Sequence, residues 1–193
     1  MDIKNYIQNS INTKTSILND ENILTTINQI ADVIVDAYKK DKKVLTAGNG
    51  GSAGDAQHIA GELVSKFFFD RPGLSAFSLA TDTSILTAIG NDYGYEKSFS
   101  RQIQANGKEG DVFICISTSG NSKNIILALE EARKKRITTV GFVGAKECKM
   151  DGLCDYIIHV PSDSTPTIQE SHIMIGHIVC ALVEEAIFSK VGV

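Results

Sequence analysis

The reading of the fold starts from Lys43-Val44-Leu45-Thr46-Ala47-Gly48-Asn49-Gly50-Gly51-Ser52-Ala53-Gly54-Asp55-Ala56-Gln57-His58-Ile59-Ala60-Gly61-Glu62-Leu63. A short apolar run, Val44 to Ala47, stops at a cluster of glycines, and helical spacing resumes beyond it. That succession predicts a buried strand, a loop at its carboxyl end and a helix starting at once. Glycines let a backbone approach a ligand closely and take up positive φ, and the free N–H groups of the following helix favour an anion or a sugar oxygen. The same residues fit a tight strand-to-helix turn with no ligand. The loop is neither a GxGxxG fingerprint nor a Walker A loop, which requires a lysine.

Working outward, the pattern repeats. Residues 75–80, 111–116, 138–143 and 155–160 read as four more short strands, and helical spacing covers about 53–68, 83–90, 96–105, 122–136 and 166–189. Strands alternating with helices predict an α/β fold: a three-layer αβα sandwich around a five-stranded, mainly parallel sheet. Ligands of such sheets bind beyond the carboxyl ends of the strands. Before the first strand, residues 2–19 are loosely helical. Ile23, Leu24, Ile27, Ile30, Ala31, Ile34 and Val35 then mark a strongly amphipathic helix. These two helices form an extension, residues 1–40, outside the alternating pattern. Their apolar faces need a cover, which a second subunit could supply. No repeat or linker divides residues 1–193, so one domain is expected.

Composition excludes several functions. The 193 residues carry a formal net charge of −4, which leaves no basic field for nucleic acid or an anionic membrane surface. The amino terminus lacks the charged and apolar regions of a signal peptide, and no apolar stretch is read as spanning a bilayer. The chain is expected in the cytoplasm. Of the four cysteines, Cys115 and Cys180 lie in apolar runs and read as packing residues. Cys148 and Cys154 could pair, but a reducing cytosol is the simpler setting. None forms a CxxC pair.

A second loop stands at the end of the third strand: Ser117-Thr118-Ser119-Gly120-Asn121-Ser122. Hydroxyls and backbone N–H groups at this place can surround a phosphate without a fixed positive charge. Ser122 also suits the ordinary role of helix N-cap. Candidates for acid–base or metal chemistry lie elsewhere. His58 and Glu62, spaced i, i+4, share one helix face. They could bind a cation, act as acid and base, or form no more than an exposed surface pair worth a few tenths of a kcal/mol. Gln169, His172 and His177 fall in the last helix, where a histidine is more often a satisfied core residue, and His159 ends a strand.

The order GNGGS, HxxxE, STSGNS and IQExHxxxxH resembles the sugar isomerase (SIS) family over nearly the whole chain, and within it the phosphoheptose isomerases. The resemblance implies an aldose–ketose isomerase converting D-sedoheptulose 7-phosphate to D-glycero-D-manno-heptose 7-phosphate, which feeds nucleotide-activated heptose for lipopolysaccharide, capsule or S-layer glycans. It implies Glu62 as catalytic base and His177 as general acid/base. It also implies zinc held by His58, Glu62, Gln169 and His177. Substrate contacts carry over to Asn49, Gly50, Gly51, Ser52, His58, Glu62, Asn91, Asp92, Ser117, Thr118, Ser119, Ser122 and Gln169. A homo-oligomer, a tetramer in the family, is implied as well. Thr167 departs from the arginine of many relatives, Ala53 from a histidine of some, and the only basic residue just after the HxxxE helix is Lys66.

One straight helix separates Gln169 from His177 by about 12 Å of rise. Both reach one ion only at full stretch or from different subunits, so an active site at or near a subunit interface is expected. The alternatives are a non-catalytic SIS protein that binds a replication initiator, for which Glu62 and His177 together would be superfluous, and another SIS enzyme such as a pentose phosphate isomerase, which usually carries a further domain. A DNA-binding regulator fits poorly with Asp20, Glu21 and Asp32 in the amino-terminal helices.

Overall fold

The computed structural model describes residues 2–189. Among these, seven α-helices and five strands follow in the order α1 (Ile3–Leu18), α2 (Glu21–Lys39), β1 (Val44–Gly48), α3 (Gly51–Val64), β2 (Ala76–Ser78), α4 (Thr83–Tyr93), α5 (Ser100–Asn106), β3 (Val112–Ile116), α6 (Lys123–Lys134), β4 (Thr138–Val143), β5 (Tyr156–His159) and α7 (Thr165–Phe188). The five strands form one sheet in the order β2-β1-β3-β4-β5. Every pairing is parallel, so the sheet is wholly rather than mainly parallel.

Alternation along the strands builds two cores. Val44, Val112, Ile114, Ile116, Val140 and Phe142 face α2, α3 and α7. Leu45, Ala47, Phe113 and Cys115 face the other way, with Ile103 of α5 and Ile125, Ala128 and Leu129 of α6. Both faces of β1 and β3 are therefore buried, as unbroken apolar runs in a parallel sheet require. The connection leaving β1 leads to β2 on one side, while β3 pairs on the other. The carboxyl ends of β1 and β3 thus flank the crevice where ligands enter such sheets.

Several expectations are corrected. The helix expected over 96–105 is split into a 3-10 turn, Tyr95–Lys97, and α5. The break follows from Gly94, whose φ of 88° ends α4. β2 is an edge strand of three residues, shorter than the expected 75–80. α3 starts at Gly51 and stops at Val64, before the expected 68, where Ser65 leaves helical geometry. The amino-terminal helices also differ from each other. Asp20 caps α2 by accepting from the N–H groups of Asn22 and Ile23. The apolar face of α2 is then covered by its own chain, chiefly α7 and β5, and needs no second subunit. α1 leaves Ile3, Ile7, Ile11 and Leu18 exposed. Finally, α7 is 24 residues long with a mean hydropathy of 1.5 over its most apolar window, so one helix does have the length and composition to cross a membrane. Its buried Ile168, Ile175, Val179 and Val183 instead pack into the core against α2 and α3.

Candidate active site

The glycine loop turns on Gly50, whose φ of 57° suits a residue without a Cβ. Gly51 opens α3 and lies against the side-chain amide of Gln169, which a Cβ here would meet at 2.6 Å. Asn49 is locked by its neighbours. Its Nδ2 donates to Asn124 Oδ1 at 2.9 Å, and its Oδ1 accepts from Asn124 Nδ2 and the Tyr95 hydroxyl, each at 2.9 Å. Sequence reasoning missed Asn124 and Tyr95, because neither belongs to a local motif. Ser52 is buried at the neck of the loop.

The hydroxyl loop follows β3. Ser122 stands at the N-cap of α6, yet its hydroxyl makes no capping bond and lies 3.0 Å from Ser117 Oγ. The ordinary capping role is therefore not taken. Gly120 has a φ of 62°, and the space of its absent Cβ is occupied by Cys148. Ser119 Oγ accepts from the N–H of Asn121 at 3.2 Å. Thr118 and Ser119 line a cavity of about 290 Å³, with Ile168 at the start of α7 on its wall. Asn91 and Asp92, at the end of α4, are exposed and bond to each other at 2.8 Å. Among the described residues they make no hydrogen bond to either loop.

α3 and α7 run side by side in the same direction: Gln169 meets Gly51, Gly176 meets Ile59, and Glu184 meets the segment after α3. This register brings His177 onto the His58–Glu62 face. His58 Nε2 lies 2.9 Å from Glu62 Oε1 and 3.3 Å from His177 Nε2. The two imidazoles meet edge to face with ring centroids 4.8 Å apart, and the Phe67 ring closes on His177 at 5.6 Å. The side chains of His58 and Glu62 are 49% and 25% exposed, so solutes can reach them.

The donor set fits a divalent metal. Zinc–nitrogen bonds of about 2.0–2.1 Å at a tetrahedral angle place two imidazole nitrogens about 3.3 Å apart. The ligand atoms of His58, Glu62 and His177 all lie within 4.8 Å of one another. All three belong to the same chain. Gln169 lies beside Gly51, seven residues before His58 and hence about 10 Å of helix rise away. Asp55, one turn before His58, has a buried Oδ2 without a partner, and burial raises its carboxyl above the ordinary range while His58 opposes the rise.

The structure also separates the remaining histidines and cysteines by role. His172 is buried in the core, its Nε2 3.1 Å from the Val143 carbonyl. His159 bridges Gly144 O and Asp151 Oδ1. All four cysteines are free, Cys115 and Cys180 being buried as expected.

The SIS domain family matches residues 5–144. The phosphoheptose isomerase of Aneurinibacillus thermoaerophilus is 66% identical over 186 residues, covering 96% of this chain and 94% of that protein. The chain belongs to the phosphoheptose isomerase family of SIS-domain proteins. Phosphoheptose isomerase 2 of Campylobacter jejuni is 60% identical over 97% of this chain and 94% of its own length. In three dimensions, a phosphoheptose isomerase from Francisella tularensis superposes with a TM-score of 0.91 at 34% identity, covering 95% of this chain and 96% of the other.

Proposed function

We propose that this chain interconverts D-sedoheptulose 7-phosphate and D-glycero-D-manno-heptose 7-phosphate, supplying nucleotide-activated heptose for a surface glycan. The observation that carries the reading is the meeting of Glu62, His58 and His177 in one solvent-accessible cluster of a phosphoheptose isomerase-family chain. A module that only binds a partner, such as a replication initiator, has no need of that convergence.

In this reading the hydroxyls of Ser117, Thr118, Ser119 and Ser122, with the N–H groups at the start of α6, hold the phosphate and fix the far end of the sugar. Asn49, Gly50, Gly51, Ser52 and Gln169 border the polyol, with Asn91 and Asp92 as further contacts. Glu62 Oε1 faces His58, leaving the second carboxylate oxygen to take a proton from the carbon beside the carbonyl and return it to the neighbouring carbon. His177 carries the proton between the two oxygens of the enediol. His58, Glu62 and His177 would hold zinc, with Gln169 joining only from a neighbouring subunit. The ion, when bound, supplies positive charge at the oxygens where negative charge develops. The exposed Ile3, Ile7, Ile11 and Leu18 support a homo-oligomer, with the family tetramer as the proposed form in the cytoplasm.

The test is turnover of sedoheptulose 7-phosphate by the zinc-replete protein, followed by NMR of the sugar carbons. No conversion of this or other phosphosugars would reject the reading in favour of a binding module. Two further outcomes are expected. Chelation should remove turnover, and added zinc should restore it; full activity in a chelated protein of measured zero metal content would remove the ion from the site. Ser119→Ala should raise KM several-fold with little change in kcat, since a lost neutral hydrogen bond is worth about 0.5–1.5 kcal/mol. An unchanged KM would take this hydroxyl out of the phosphate loop.

A further inference from the structure

We propose that the buried Arg71–Glu184 ion pair is a positioning device for the reacting pair, holding the end of α3 that carries Glu62 and pressing Phe67 against His177. The inference rests on the reading of Glu62 and His177 given above.

The two side chains are 2% and 1% exposed, with Arg71 Nε 2.9 Å from Glu184 Oε1. The guanidinium also donates to the last turn of α3: Nη2 to Glu62 O at 2.9 Å and Nη1 to Leu63 O at 2.7 Å. These carbonyls are among the acceptors that a helix end leaves without partners, and a cation there suits the negative end of the helix dipole. Arg71 thus ties down the backbone of Glu62 itself. Glu184 binds the other side of the returning segment, accepting from Phe67 N at 2.8 Å and Phe68 N at 2.6 Å. Phe67, held at its amide, lays its ring on His177.

Glu62 and His177 meet across α3 and α7, and Arg71, on the segment that follows α3, meets Glu184 farther along α7. Glu184 lies seven residues, about two turns, beyond His177 on α7. A pair this deeply buried carries a desolvation penalty that packed aliphatic side chains would avoid. Its further bonds all go to backbone, at Leu63 O, Pro72 O and Phe68 N as well as at two groups that bear or touch a reacting side chain: the Glu62 carbonyl and the Phe67 amide. Partners of this outer kind orient metal ligands, and removing one typically weakens ion affinity or activity about 10–100-fold.

The experiment compares Glu184→Gln, Phe67→Leu and Arg71→Lys with wild type in the full chain. Turnover gives kcat and KM, titration of chelated protein with Co²⁺ gives ion affinity, and thermal melts give Tm. Glu184→Gln should lower kcat and Co²⁺ affinity by about 10–100-fold, with KM within about twofold because the hydroxyl loop sits on another element. Phe67→Leu leaves the ion pair in place, so it should retain a near-wild-type Tm and still lower both quantities several-fold. Arg71→Lys keeps the charge but loses the fork, and should fall between wild type and Glu184→Gln. Wild-type kcat and Co²⁺ affinity in both Glu184→Gln and Phe67→Leu, however far Tm drops, would overturn the inference and leave the pair a purely structural clamp. An inactive wild type would instead overturn the isomerase reading on which it stands.

Discussion

Glu62→Gln at saturating zinc should lose about 10²–10⁴ in turnover, the usual contribution of a general base. That corresponds to about 3–5 kcal/mol on the barrier. Glutamine keeps the length of the side chain and retains an oxygen to face His58, now at 2.9 Å from Oε1, so the local packing survives. The side chain is a quarter exposed and contributes nothing to the core, so the melting temperature should stay near wild type. What disappears is the ability to take a proton. Turnover near the wild-type rate in this variant, measured by NMR with metal content checked, would move the base elsewhere, and Asp55, with its unpartnered buried oxygen about two turns before Glu62, would be the next group to test.

Acid should weaken the fold through His172. The ring has no solvent exposure, and burial pushes its pKa down to about 4 from 6.5, against the opposing pull of the Val143 carbonyl. In the folded chain the imidazole is therefore neutral where the unfolded chain would already be protonated. Between pH about 6.5 and about 4 the unfolded state binds more protons, so stability falls as pH falls through that window and the loss levels off below it. At about 1.4 kcal/mol per pH unit the full loss is about 3 kcal/mol. His172→Gln keeps an N–H for the Val143 carbonyl at the position of Nε2 but cannot titrate. Urea unfolding at pH 7 and pH 4.5 should show the wild type losing about 2–3 kcal/mol more than the variant. Equal losses in the two proteins would show that the ring is not held neutral by burial.

The sheet was legible because its signals are local. β4 occupies the expected 138–143, and the Val44–Ala47 run with its glycine break reads directly as β1, loop and α3. Where expectation and structure part, a neighbour decides. Residues 96–105 have helical spacing, but Gly94 and the bonds of Tyr95 to Asn49 and of Gln102 to Leu79 O divide the segment. The i, i+4 spacing placed His58 beside Glu62, but no spacing could show that His177 would join them, because the contact spans 119 residues. Only the motif likeness linked the two, and it linked Gln169 equally, which the straightness of α7 keeps at Gly51. Arg71 and Glu184 were invisible for the same reason, 113 residues apart and in no motif. Conversely, Ser122 looked like a cap and is not used as one.

The same long separation has a consequence in time. Translation delivers the glycine loop, Glu62 and the hydroxyl loop well before it delivers α7, which carries both the second imidazole and the carboxylate that secures the turn after α3. A nascent chain still lacking its last helix has no His177 to meet His58 and Glu62. If the proposed centre is the reacting one, synthesis of the polypeptide itself delays chemistry until the final element has emerged from the ribosome and docked, and a chain cut short before α7 should be inert towards the sugar phosphate.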